Sequence, residues 1–203
     1  DLEQPEYNGT QLIHSKVIAS YLRQLLRNDL QYAPFRMEGM EQDVREMMEI
    51  DTPQGKLALQ IGGTIDRLDS KGDTLRIVDY KTGGTPKTPE NIEQLFTPAD
   101  NRPNYIFQTF LYAAILCRKQ SLKVAPSLLY IHRAASESYS PVIEMGAPRQ
   151  PKVPVNNFAF FEDEFRERLH GLLQEIFSQE ETFSQTEDTR KCEYCDFRSL
   201  CKR

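Results

Sequence analysis

No stretch of this 203-residue chain approaches the roughly 18 consecutive apolar residues that a membrane-spanning helix needs, so no part of it is read as crossing a bilayer. A basic excess is also missing. The 25 Lys and Arg are outnumbered by 30 Asp and Glu, a formal charge of -5, which leaves phosphate recognition to local surface rather than to a global field. Cysteine is scarce, four in all, and two of the four lie too close together, as C-x2-C, for an ordinary structural bridge. With no export signal read beside them, a secreted disulfide framework is not expected. The chain opens on Asp1 without a charged, apolar and small-residue leader, so no targeting peptide is read and a cytoplasmic location is expected. The opening residue also suggests the C-terminal part of a longer chain. No internal repeat is visible.

What is present fits one α/β domain spanning residues 1–203, with 39% apolar and 27% charged residues. From Leu12 to Leu30 the residues Leu12, Ile13, Val17, Ile18, Tyr21, Leu22, Leu25 and Leu26 recur at three- and four-residue spacing, which predicts an amphipathic helix. Thr10 or Asn8 would cap it and Pro34 would end it. Between Phe35 and Lys81 the period falls to two, and the turns "TPQG" and "SKGD" divide the segment into a three-stranded antiparallel meander. Residues 82–104 are rich in Pro, Gly and Thr and read as a long loop, a length that usually serves a site. A second helix is marked by Ile106, Phe107, Phe110, Leu111, Ala114 and Ile115. Strands at "PSLLYIHR" and "SYSPVIEMG" and a third helix over Phe158 to Glu180 complete the expected order.

The chemistry concentrates in "GTIDRLDSKGDTLRIVDYKTGG". Strand alternation puts Leu75, Ile77, Asp79 and Lys81 on one face and Arg76, Val78 and Tyr80 on the other. Asp66 is read as ending the preceding strand, so that the turn brings it back toward Asp79. Two carboxylates held together in a dry site repel, and a divalent cation, the Lys81 ammonium or both must compensate. Magnesium suits carboxylate oxygens plus waters and a substrate phosphate. Taken one at a time, the same acids also fit ordinary salt bridges with Arg67, Arg76 or Lys81.

"GGTIDRLD" and "IVDYKTG", with twelve residues between Asp66 and Asp79, resemble the PD-(D/E)XK nuclease superfamily, in particular its RecB-like branch of AddB-type helicase-nucleases and CRISPR-associated exonucleases. The resemblance implies a restriction-endonuclease-like core, a central mixed sheet flanked by helices, and Mg2+- or Mn2+-dependent hydrolysis of DNA, by an exonuclease acting in repair or recombination beside a helicase domain or subunit. It implies Asp66, Asp79 and the Asp79–Tyr80 region as the metal site and Lys81 as the group assisting the nucleophile. Gln108 and Tyr112 in "FQTFLYA", four apart on one helical face, then become substrate-positioning residues. Glu41 in "MEGMEQDV" is the candidate for a further acid on the first strand. The branch often carries a metal-site histidine on an early helix. His14 is the candidate here, the alternative being a histidine upstream of residue 1, while His132 and His170 read as structural. A module that keeps the fold for DNA binding or scaffolding without cleavage is the rival reading.

The last fourteen residues, "RKCEYCDFRSLCKR", carry five positive charges against two negative ones and form a Cys-containing basic tail over 190–203. Cys192, Cys195 and Cys201 form C-x2-C-x5-C, a spacing that suits zinc or an iron–sulfur cluster. In the resembled branch such a trio joins a distant N-terminal cysteine around a [4Fe–4S] cluster. Here Cys117 reads as a core residue, so the fourth ligand would lie upstream of Asp1, and a zinc-binding interaction tail is the other possibility.

Overall fold

The structure, a computed structural model, describes residues 8–99, 101–136, 138–178, 182 and 184–203. Helix α1 runs over Gly9–Tyr32 and is capped by Asn8, whose side chain accepts from the Gln11 amide while the Gln11 side chain accepts from the Asn8 amide. Three strands follow, β1 Arg36–Thr52, β2 Gly55–Lys71 and β3 Thr74–Lys81. They pair antiparallel in sequence order, and β4, Lys123–Tyr130, adds to β3 in parallel. A parallel neighbour requires a crossover, which is supplied by the short α2 Glu93–Phe96 and by α3 Asn104–Cys117. Beyond β4 lie the two-residue strands β5 Glu144–Met145 and β6 Val153–Pro154 and the helix α4 Glu162–Phe177. The central mixed sheet flanked by helices is therefore as expected.

Alternation along the strands builds two unequal faces. Leu68, Leu75 and Ile77 join Ile106, Phe110 and Ile115 of α3 and Phe165 of α4 in the main core. Its centre is aromatic: Phe165 is fully buried, with its ring 5.3 Å from that of Phe96, 5.6 Å from Phe107 and 5.8 Å from Phe158. On the other face Val78, Leu129 and Ile131 form a smaller cluster under Tyr21 and Leu25 of α1.

Five expectations are corrected. The strand expected over "PSLLYIHR" spans Lys123–Tyr130, and Ile131–Arg133 turn into a 3-10 helix. The long loop after β3 contains α2 and is pinned by the buried Ile92 and Leu95, because its apolar residues have core to reach. The segment "SYSPVIEMG" is no long strand: Val142 makes a lone bridge to Ser127, and Glu144–Met145 pairs only with Val153–Pro154. On α1, Leu12, Ile13, Val17, Ile18, Leu22 and Leu26 are exposed, since the helix meets the sheet along the narrow line of Tyr21, Leu25 and Asn28. The third predicted helix begins as a 3-10 turn at Phe158–Phe160 and is α-helical from Glu162 to Phe177, and its expected residues 179 and 180 lie outside the described residues.

The smaller face also carries a buried ionic lattice. Asp69, with no exposure, accepts from Arg76 Nε at 2.9 Å and Nη2 at 2.7 Å, and Arg67 Nη2 lies 2.9 Å from its Oδ2. Arg67 reaches α1 through Asp29 at 2.8 Å and donates to the Tyr80 hydroxyl at 3.0 Å. The rings of Phe35 and Tyr32 cover the two guanidiniums, at 4.8 Å from Arg67 and 3.5 Å from Arg76. Removing Asp69 strands the buried Arg76 guanidinium and leaves Arg67 with Asp29 and Tyr80 alone. Asp69→Ala is expected to cost about 3–5 kcal/mol, read as a lower urea midpoint at unchanged slope.

Candidate active site

The β2–β3 ladder runs from Lys71 opposite Thr74 to Arg67 opposite Val78 and stops there. The next step of the register would set Asp66 against Asp79. Instead the Asp66 side chain takes over as acceptor, with Tyr80 N donating to Oδ2 at 2.8 Å. Asp66 thus lies inside β2 rather than at its end, as the sequence had suggested, and the strand continues five residues to Lys71. In an antiparallel ladder a residue's N–H and C=O point to the same neighbouring strand, so the Tyr80 carbonyl faces the Asp66 side as well.

Asp79 is 4% exposed. Burial pushes its carboxyl above the usual range, the Lys81 ammonium pulls it back, and the Asp66 charge pushes it up again. The Asp66 charge reaches Asp79, which places the two acids in one electrostatic site. Lys81 Nζ lies 2.5 Å from Asp79 Oδ2, yet off a favourable direction, so that buried oxygen accepts no properly aligned hydrogen bond. The same ammonium sits 4.3 Å from the centre of the Tyr105 ring and makes a long contact of 3.4 Å to Gln108 Oε1. Gln108 Nε2 in turn donates to the Tyr112 hydroxyl at 3.0 Å. Five residues named from sequence, Asp66, Asp79, Lys81, Gln108 and Tyr112, therefore form one connected set.

The other sequence candidates are placed differently. The Tyr80 side chain points to the opposite face, where it meets Arg67, and only its backbone belongs to the acid site. Glu41 lies between the β1–β2 pairs Met40–Arg67 and Gln42–Ile65 but is itself unpaired in the register and exposed, and its φ of 46° takes it out of the strand pattern. His14 is exposed on α1, the helix that covers the other face, and His132 is also exposed. Among the described residues no three His, Cys, Asp or Glu side chains gather as a ready metal cage. Cys192, Cys195 and Cys201 are free thiols in the tail, and burial pushes the Cys117 thiol up to about 11, in keeping with a core role.

The donor set nonetheless suits one hard divalent cation. It offers a buried carboxylate oxygen on Asp79 that has an ion-pair partner but no aligned hydrogen bond, the second oxygen of Asp66 and the Tyr80 carbonyl, which would leave the remaining positions of such an ion to water and phosphate.

Sequence reasoning missed three contributors. Tyr105 lies one helical turn before Gln108 and lines the site from α3. Tyr130, opposite Lys81 on β4, feels both Asp79 and Tyr105, although burial is the main cause pushing its phenol up to about 12. Gly63 makes room for Tyr112, since a Cβ there would sit 2.6 Å from the Tyr112 hydroxyl. The doubled glycine of "GGTID" was the available signal, because paired glycines on a strand mark close approach of other groups. Gly63→Ala is expected to cost about 1–3 kcal/mol through overpacking. Adding Tyr112→Phe should recover part of that loss, a coupling readable in a double-mutant cycle of urea unfolding.

The chain matches the family model of the PD-(D/E)XK nuclease superfamily over residues 2–202. A search of curated proteins gives no significant match. With the match covering nearly the whole chain, and the acid pair, the lysine and the mixed sheet in place, the protein belongs to the PD-(D/E)XK nuclease superfamily.

Proposed function

We propose that this domain is a Mg2+- or Mn2+-dependent deoxyribonuclease of the RecB-like branch, an exonuclease working in DNA repair or recombination beside a helicase. Membership of the superfamily implies metal-dependent nuclease activity. No helix of the described residues is long and apolar enough to cross a membrane. The observation that carries the reading is the buried Asp79 oxygen, left without an aligned donor between a second carboxylate and a lysine.

Asp66, Asp79 and the Tyr80 carbonyl would hold a divalent ion, which would supply Lewis acidity toward a phosphodiester. The protein's own part is electrostatic and positional. Lys81 brings positive charge to the phosphate oxygens as negative charge builds on them, and it is aimed by Gln108, which Tyr112 steadies. Burial of Asp79 lowers the dielectric around it, which strengthens its interaction with Lys81. Glu41, exposed between the pairs Met40–Arg67 and Gln42–Ile65, remains the candidate for a further acid at the rim. The tail trio Cys192, Cys195 and Cys201 is proposed to bind a [4Fe–4S] cluster with a fourth cysteine from outside residues 1–203. Anaerobic purification of a longer parent chain should then yield iron and a brown chromophore, and zinc without iron would reject the cluster.

Asp79→Asn and Lys81→Ala are each expected to abolish Mn2+-dependent release of nucleotides from end-labelled linear DNA. Equal cleavage by wild type and both variants would exclude this site. The Asp79 charge is destabilising without an ion, because its folded-state carboxyl is raised above the unfolded value and stability is lost as pH climbs through it. At neutral pH without metal, Asp79→Asn should therefore melt no lower than wild type. Adding Mn2+ should raise the melting temperature of wild type only, by mass action on the folded state. A wild-type melt insensitive to Mn2+ would favour the non-catalytic DNA-binding module.

A further inference from the structure

Beside Lys81 lies a cleft of about 320 Å3 lined by Gly84, Lys87, Arg102, Tyr105, Ile106 and Tyr130. Its volume is at the low end for a small-molecule site, of the size of one nucleoside rather than a base pair. Tyr105 is 44% exposed, a large apolar ring left open at the mouth of a site that is otherwise well packed. The cleft stays open because residue 84 has no side chain. At φ +80° a Cβ there would meet the Tyr105 ring at 3.4 Å and the Tyr130 ring at 3.8 Å, filling the space between the two.

A second cleft of about 270 Å3 continues from the first, sharing Lys87, Ile106 and Tyr130 and ending near Arg133 and Ser138. The two make a single groove with Arg102, Lys87 and Arg133 along it. Among the described residues none of these three cations is paired with a carboxylate. Lys87 instead donates to the carbonyls of Asn101 at 2.8 Å and Arg102 at 3.2 Å, and Arg102 Nε donates to Asn104 Oδ1 at 2.8 Å. In a chain with more acids than bases, three cations with no acidic partner among the described residues leave charge available for phosphates beside the acid site.

We infer that this groove holds one unpaired DNA strand, with the base next to the scissile phosphate unstacked against Tyr105 and the backbone tracked by Lys87 and Arg133. The inference rests on the nuclease reading above and specifies its substrate as single-stranded DNA or a frayed end. A base inside a duplex has both faces covered by its neighbours, so only an unstacked one can use the Tyr105 ring. The ring also touches the Lys81 ammonium, which sets the position of the base relative to the phosphate that Lys81 faces.

The test is fluorescence anisotropy in EDTA with a labelled 15-nucleotide single strand and its blunt duplex, so that cleavage cannot confound binding. Wild type should bind the single strand more tightly than the duplex. Tyr105→Ala should weaken single-strand binding roughly 5- to 150-fold, the range for losing one stacked base, without changing the salt slope. Tyr105→Leu, which fills the space without a π face, should lose as much, and Tyr105→Phe should keep wild-type affinity. Lys87→Ala and Arg133→Ala should each flatten the plot of log affinity against log salt by about 0.7. Wild-type affinity in Tyr105→Ala or Tyr105→Leu, or equal losses on the single strand and the duplex, would overturn the inference. A parallel Mn2+ cleavage assay keeps the two ideas apart: stacking-dependent binding without cleavage removes the nuclease reading and leaves the groove, and cleavage that ignores Tyr105 does the reverse.

Discussion

One hydrogen bond organises this molecule's chemistry, the 2.8 Å contact from the Tyr80 amide to the Asp66 carboxylate. A regular antiparallel ladder would have passed that amide to the backbone of β2 and brought the two strands together. By substituting a side chain for the backbone, the sheet ends its β2–β3 pairing at Arg67 and Val78 and leaves Asp66 and Asp79 in a shared opening. The cost of two acids so close falls on Asp79, which is the more buried and whose charged form is disfavoured. Lys81 offsets part of that cost, and because β3 alternates it necessarily shares the Asp79 face.

The opposite face of the same strands fixes this opening from behind. Arg67 follows Asp66 directly, and Tyr80 follows Asp79. Their side chains meet each other at 3.0 Å across the back of the sheet, within the lattice that includes Asp29, Asp69 and Arg76. Each acid of the site is therefore flanked by a residue locked into a dry ionic network, which makes the spread of the strands a property of the folded core rather than of a loop. On the front, α3 supplies Tyr105, Gln108 and Tyr112 from three successive positions along one helical face. It is seated by Ile106 and Phe110 in the main core.

Much of this was legible in the amino acids, for definite reasons. Period-two alternation and the "SKGD" turn were enough to put Asp79 and Lys81 together, and the helical spacing of Gln108 and Tyr112 put them on one face. Local pattern failed where the determining partner was remote. Gly63 is explained only by Tyr112, and Gly84 only by Tyr105 and Tyr130. A half-exposed Tyr105 one turn from Gln108 reads in sequence like any packing aromatic. The apolar stripe of α1 gave the helix correctly, but periodicity carries no information about how much partner surface exists, and most of that stripe met none. Asp66 was expected at a strand end because the acid was assigned to the turn, whereas the interruption lies in the ladder and not in the strand.

The double duty of Asp66 has an evolutionary corollary. Copies of this domain that no longer cut DNA should not decay evenly. The Tyr80 amide still needs an oxygen to accept it, so position 66 would retain an Asp, an Asn or another short acceptor long after selection for chemistry lapsed. Positions 79 and 81 are coupled in one direction instead: without Asp79 the lysine keeps Gln108 and the Tyr105 ring, whereas without Lys81 the acid is left charged in a dry sheet, so loss of the acid should precede loss of the lysine.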